Sequence, residues 1–269
     1  MGNDMHGFGF SIAGLLVGIA VGATGVGGGS LMTPILIMFY GVNPAFAVGT
    51  DLLYASISKS FGVLLHKRNG SLDWSIVGWL SIGSLPATAL TLWFLHSYEK
   101  GPQLDHLIKL ILAIAIITTA TFTLIQDYVI GFFKDHRHYG ALSSLRDQHQ
   151  RTLTVISGVL IGSLVTISSV GAGVIGMMLL LLIYPRHAPI KLVGSDLAHA
   201  VLITAIAGLG HASLGTVDYS LLGYLLVGAI PGIWVGTQLG FKLPEKPLKR
   251  VIAGLMIFIG GSMLVKLLF

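Results

Sequence analysis

Residues 22–34 read Gly-Ala-Thr-Gly-Val-Gly-Gly-Gly-Ser-Leu-Met-Thr-Pro, and five of the first eight are glycine. The stretch lies inside an apolar run from about Phe8 to Tyr40. One helix of that length would measure roughly 50 Å, against a hydrocarbon core of roughly 30 Å. Each glycine costs a helix about 1 kcal/mol relative to alanine, so the cluster is expected to break it. The run therefore reads as two apolar arms, about 8–21 and 30–40, joined by an unwound tip. Such a tip presents free N–H groups and opens a new helix, whose N-terminus carries about half a positive charge. At membrane depth, irregular backbone is tolerated only where it is buried in protein or lines a cavity. A broken helix there signals a substrate site, and this one favours an anion.

The rest of the chain puts that tip in a membrane. Of 269 residues, 54% are hydrophobic and 10% charged, with a mean hydropathy of +0.84. A soluble domain is about 25% charged, so this is an all-α polytopic membrane protein. No cysteine is present, which excludes disulfides, thiolate metal sites and a thiol nucleophile. No basic region precedes the first apolar run, so a cleaved signal peptide is not expected. A pI near 9.5 suggests nucleic acid in a soluble protein; here the basic residues fall in loops between apolar spans, and no nucleic-acid partner is expected.

Three further spans follow the broken segment, at about 46–65, 73–96 and 106–126. A polar, His-rich linker at 127–151 comes next, and then the plan recurs. A Gly-interrupted segment at 153–184 leads to spans near 191–210, 219–240 and 248–268. At an offset of 144, residues 24–29 lie over 168–173; one insertion makes it 145. Then 49–52 matches 194–197, His66 matches His211, Asp73 matches Asp218, and Gly78, Gly83 and Pro86 match Gly223, Gly228 and Pro231. This is an internal duplication, with a first repeat at 8–126, a linker at 127–151 and a second repeat at 152–269 of one membrane domain.

Basic charge decides between topologies. If each broken segment crosses once, lysine and arginine divide almost evenly. If each enters and leaves by one face, 12 fall on one side and 3 on the other, with Lys59 left inside a span. The second arrangement obeys the positive-inside rule. It leaves three transmembrane helices per repeat beside each re-entrant or paired short segment. An odd number makes the repeats inverted, with the linker cytoplasmic and both termini extracytoplasmic in a multi-pass inner-membrane protein. Inverted repeats with discontinuous helices meeting near the midplane are a recurrent plan of secondary transporters.

The run at 22–36, followed by Gly41-Val42-Asn43-Pro44, by 47–51 and by the weaker second copy, resembles the TauE/SafE-type sulfite exporter family. The resemblance covers the chain from about Phe8 to Leu267. It implies proton- or gradient-driven movement, without ATP hydrolysis, of sulfite, organosulfonates, thiosulfate or related small anions, with export as the expected direction. A passive anion channel, or an importer of another organic anion, remains the alternative. No cofactor is implied, and the partners expected are the small anion and membrane lipid. Nothing in the sequence sets an oligomeric state.

Candidate residues follow from the tips. Thr24, Gly25, Gly27, Gly28, Gly29 and Ser30 in the first, with Ser168, Ser169, Gly171 and Gly173 in the second, offer N–H groups and hydroxyls that can replace an oxyanion's hydration shell. The competing reading is that the glycines let helices approach closely. Lys59, some eight residues into a span, can attract the anion or pair with Asp51, although lysine also snorkels to an interface. Thr50-Asp51 and Ser195-Asp196 read either as N-terminal caps or as proton carriers. An aspartate facing an anion repels it unless protonated, which is a physical route to coupling. His199 is a proton-relay candidate because histidine titrates near neutral pH, whereas His66 and His211 read as interfacial anchors or loop hydrogen-bond partners. The linker histidines lack metal-ligand spacing, so no metal site is expected. With no GxxxxGK[ST], HExxH or GxSxG motif, no enzyme is expected either.

Overall fold

The computed structural model describes residues 2–24, 29–68, 70–97, 101–134, 148–240 and 245–268, and for Thr24, Ser30 and His66 it describes the backbone alone. Gly25, Gly27, Gly28 and most of the linker lie outside this set. The described residues form ten helices and no strand: α1 (Gly2–Thr24), α2 (Gly29–Phe39), α3 (Pro44–Arg68), α4 (Trp74–Ser97), α5 (Pro102–Lys134), α6 (Gln150–Ser168), α7 (Val174–Ile183), α8 (Pro189–Ser213), α9 (Tyr219–Gly240) and α10 (Glu245–Leu268).

Among the described residues, six stretches are long and apolar enough to cross a membrane: Trp74–Ser97, Pro102–Gln126, Gln150–Ser168, Pro189–Ser213, Tyr219–Leu239 and Arg250–Leu267. Five coincide with expected spans. The expected span at 46–65 is replaced in this set by α6, because Asp51, Lys59 and several serines lower the hydropathy of α3. That helix is nonetheless 25 residues long. Along its middle, Asp51, Leu52, Tyr54, Ala55, Ser56 and Lys59 are all buried.

Both breaks occur, but the arms are unequal. In the first segment α1 has 23 residues and α2 has 11; in the second α6 has 19 and α7 has 10. The long arms reach about 34 and 28 Å and the short arms about 15–17 Å. Each short arm comes back alongside the first half of the long one. The Tyr40 hydroxyl donates to the carbonyl of Gly9 at 2.7 Å, and Tyr184 and Thr154 hydroxyls meet at 2.9 Å.

The long arms survive their glycines because those glycines face other backbones. A Cβ at Gly14, Gly18 or Gly22 of α1 would strike the backbone at Leu225, Ala229 or Ile233 of α9, while one at Gly228, Gly232 or Gly236 would strike Ser11, Leu15 or Ile19. Numbers rise together on both helices, so α1 and α9 run parallel. The same contact joins α6 to α4 through Gly158, Gly162 and Gly83. Each half's first helix thus packs on the other half's fourth. By contrast α3 and α8 run antiparallel: Gly49 faces His211, Leu53 faces Gly208, Ser56 reaches Val201, and Gly62 faces Leu197. Close backbone approach through small residues is the ordinary way helices associate where lipid competes for apolar contact.

Candidate functional site

Both α3 and α8 open on proline, where the missing N–H costs nothing. Thr50-Asp51 and Ser195-Asp196 are then the seventh and eighth residues of their helices, two turns inside. The expectation that they cap those helices is therefore corrected. Their hydroxyls serve other helices instead. Thr50 Oγ1 accepts the N–H of Asp218 at 3.0 Å, and Ser195 Oγ accepts the N–H of Asp73 at 2.8 Å. Asp73 and Asp218 are the actual caps: Asp73 Oδ1 accepts from Ser75 and Ile76 at the start of α4, and Asp218 Oδ1 from Leu221 at the start of α9.

The two buried aspartates meet the short arms. Asp51 Oδ2 accepts from the N–H and from the hydroxyl of Thr33, near the start of α2. Asp196 Oδ1 lies against Gly176 in the first turn of α7, where an added Cβ would collide with it. Each carboxylate thus sits at the positive end of a short helix, which partly offsets the cost of its burial.

Lys59 ties this region to the second break. Its Nζ donates to the carbonyl of Ala172 at 2.9 Å, and only 6% of the residue is exposed. Asp51, Asp196 and His199 all lie within its electrostatic reach. Among the described residues neither carboxylate forms an ion pair with it within 4.0 Å. One cation, two carboxylates and an imidazole therefore share an interior in which each interaction is far stronger than in water. His199 is 1% exposed, and its Nε2 contacts Ser84 Oγ at 2.8 Å.

The second break is shaped by backbone conformation. Ser169 is left-handed at φ 59°, while Gly171 and Gly173 take φ 107° and 128°, values that glycine alone adopts freely. Ser168 is engaged locally, donating to the carbonyl of Leu164 and accepting from the N–H of Val170. Ser169 Oγ is buried near Asp51 without a hydrogen bond of ordinary geometry. No hydrogen bond from the N–H groups at 171–175 is made among the described residues. Of the first tip's candidates, Gly29 opens α2; Thr24 ends α1 and Ser30 lies in α2.

Sequence reading missed Thr33, Tyr54 and Ser84. Tyr54 was legible, since it occupies the place of His199 at the offset of 145. Thr33 and Ser84 carry no local signal. His211 is a hydrogen-bond partner, as one reading had it: Nδ1 contacts Thr216 Oγ1 at 2.9 Å and Nε2 the carbonyl of Thr166 at 3.0 Å. It also lines a cavity of about 490 Å³ with Asn43, His96, Asp105 and Thr216, at the start of α3 and the end of α8.

The family model described as sulfite exporter TauE/SafE matches residues 10–263. The chain belongs to the TauE/SafE family. It is 36% identical over 250 residues to the probable membrane transporter protein YjnA of Bacillus subtilis, covering 93% of this chain and 96% of that one. It is 27% identical to YdhB of the same organism, over 88% and 91% of the two chains, and 24% identical to a probable membrane transporter protein of Methanocaldococcus jannaschii, over 94% and 93%. No solved structure matches the chain. Membership of the TauE/SafE family makes this a multi-pass membrane transporter, and the buried charge cluster lies at the heart of its bundle.

Proposed function

We propose that the protein is a secondary carrier for sulfite or a related small sulfur-containing anion, that it exports this substrate across the inner membrane, and that it couples transport to protons. The observation that carries the reading is the contact of buried Lys59 with the Ala172 carbonyl, beside undonated N–H groups at the mouth of α7. Ammonium and backbone amides together replace an oxyanion's hydration shell without a fixed metal.

The charge balance supports coupling. Two carboxylates face one lysine, so the ionised cluster repels a second anion. Protonation of Asp51 or Asp196 removes that repulsion, and anion and proton then favour each other's binding. Two inverted repeats, at 8–126 and 152–269, account for alternating access by rocking one against the other. Supporting them are the reciprocal parallel contacts of α1 with α9 and of α6 with α4, and the antiparallel crossing of α3 and α8. The same topology keeps the linker cytoplasmic and both termini outside.

The test is flux in proteoliposomes, with sulfite, thiosulfate, taurine and sulfate offered with and without a pH gradient. Uphill sulfite movement that follows the gradient, and becomes insensitive to it in Asp51→Asn or Asp196→Asn, is the expected result. Downhill flux alone makes the protein a channel, and flux of none of these anions overturns the substrate class.

A further inference from the structure

One face of α3 carries buried polar atoms that lack a hydrogen bond of ordinary geometry among the described residues, and Ser169 Oγ, near Asp51, lacks one too. Asp51 Oδ1, Tyr54 Oη and Ser58 Oγ are all buried without a hydrogen-bond partner, and Tyr54 is 0% exposed. Spacings of three and four residues put them within about 60° of one another on the helix and spread them over about 10 Å of its length. Tyr54 Oη lies near both neighbours, in the field of Asp51 and beside Ser58. Lys59 stands about 80° round from Asp51, on the face that meets the second break.

Orphaned polar groups are uncommon in folded interiors, and three in a row on one helix face are ready partners for buried water. The second half has no such row. At the offset of 145, Asp196 is followed by His199, already bonded to Ser84, and then by Ile203, fully buried and apolar. The duplication thus kept the carboxylate in both halves and a continuous row of hydroxyls in only one.

We infer that Asp51, Tyr54 and Ser58 form a hydrated proton path along α3, separate from the face on which Lys59 meets the anion. This rests on the proton-coupled reading above. Asp51 releases its proton to a bridging water. Each hydroxyl in turn accepts one proton on its oxygen and gives up its own, so one proton moves and every group ends as it began. The path leads from Asp51 towards the C-terminal end of α3. The titratable groups in reach of Asp51 are Lys59 and Tyr54 on its own helix, and Asp196 and His199 on α8 lie in reach of Lys59. Besides these, the buried titratable side chains among the described residues are His211 and Tyr184, and none of them lies on α2, α5, α9 or α10.

The experiment follows protonation of Asp51 directly, by the infrared carboxylic C=O band after a pH jump on the purified full chain. Loss of the band in Asp51→Asn assigns it. Tyr54→Phe and Ser58→Ala are expected to slow its appearance at least tenfold while leaving its final amplitude unchanged. A purely structural role for these hydroxyls would leave the rate alone. Unchanged rates in both variants, or an Asp51 band that never appears, overturn the inference. Sulfite flux is measured in parallel. Slowed protonation in a protein that moves no sulfur anion leaves the path standing and removes the substrate reading; proton-driven flux with unchanged protonation rates does the reverse.

Discussion

Thr50 of α3 accepts the N–H of Asp218 at 3.0 Å, and its counterpart Ser195 of α8 accepts the N–H of Asp73 at 2.8 Å. Each half thus pins the start of the other half's fourth helix through one hydroxyl. Both hydroxyl-bearing residues are fully buried, while the aspartates whose amides they receive lie nearer the surface.

Thr50→Val preserves shape and removes the acceptor, leaving the Asp218 N–H unpaired. The expected cost is about 0.5–1.5 kcal/mol, read as a lower thermal midpoint in detergent. Ser195→Ala should cost a similar amount, since it likewise removes the acceptor of a helix-start amide. Because the two sites do not touch, the double variant should lose the sum within about 0.5 kcal/mol. A double variant no worse than either single one would mean that the pins are redundant.

The glycines of α1 and α9 give a prediction with its own control. Gly232→Val must push its Cβ into the Leu15 carbonyl, and Gly18→Val into Ala229, so both should prevent close packing. Overpacking of this kind costs about 1–3 kcal/mol or blocks folding, visible as loss of the monodisperse peak in size-exclusion chromatography. Gly78 and Gly223, which meet nothing within 4 Å, should accept alanine with no loss and a gain of up to about 1 kcal/mol. Equal damage at all four positions would show that contact with a neighbouring backbone does not govern them.

These glycines also mark where sequence reading ran out. The duplication was legible because glycine, aspartate, histidine and proline hold one register across both halves. The lengths of α1 and α6 were not. Glycine breaks an isolated helix, and only a partner backbone at close range turns Gly14, Gly18 and Gly22 into contacts. Gly49 misled in the same way: it suggested a helix start before Thr50-Asp51, whereas α3 begins at Pro44 and Gly49 lies where the Thr216 carbonyl packs. Lys59 was found from its depth in a span. Its partner, the Ala172 carbonyl, lies 113 residues away and depends on a backbone turn that no local pattern encodes.

Gly176 tests whether the position of Asp196 matters. A methyl group there collides with Asp196 Oδ1 and not with packing atoms, so Gly176→Ala moves the carboxylate while sparing the core. Anion flux should fall at least fivefold, and the thermal midpoint should shift by no more than a few degrees. Normal flux in Gly176→Ala would remove Asp196 from the working site.

Lys59 can be separated from its structural role by charge. Lys59→Met leaves two buried carboxylates without their cation, and removing one member of such a cluster costs about 3–5 kcal/mol. A loss of transport in that variant alone is therefore ambiguous. Adding Asp196→Asn removes one of the two negative charges and should recover most of the lost stability, by a thermal midpoint near that of the parent chain. If Lys59 serves only to balance charge, the double variant should transport. If its ammonium meets the anion, the double variant should fold yet show sulfite flux reduced by at least tenfold. We expect the second outcome, because in the double variant nothing cationic faces the Ala172 carbonyl. Lys59→Arg should fall between, since a guanidinium keeps the charge but not the compact ammonium that fits beside one carbonyl.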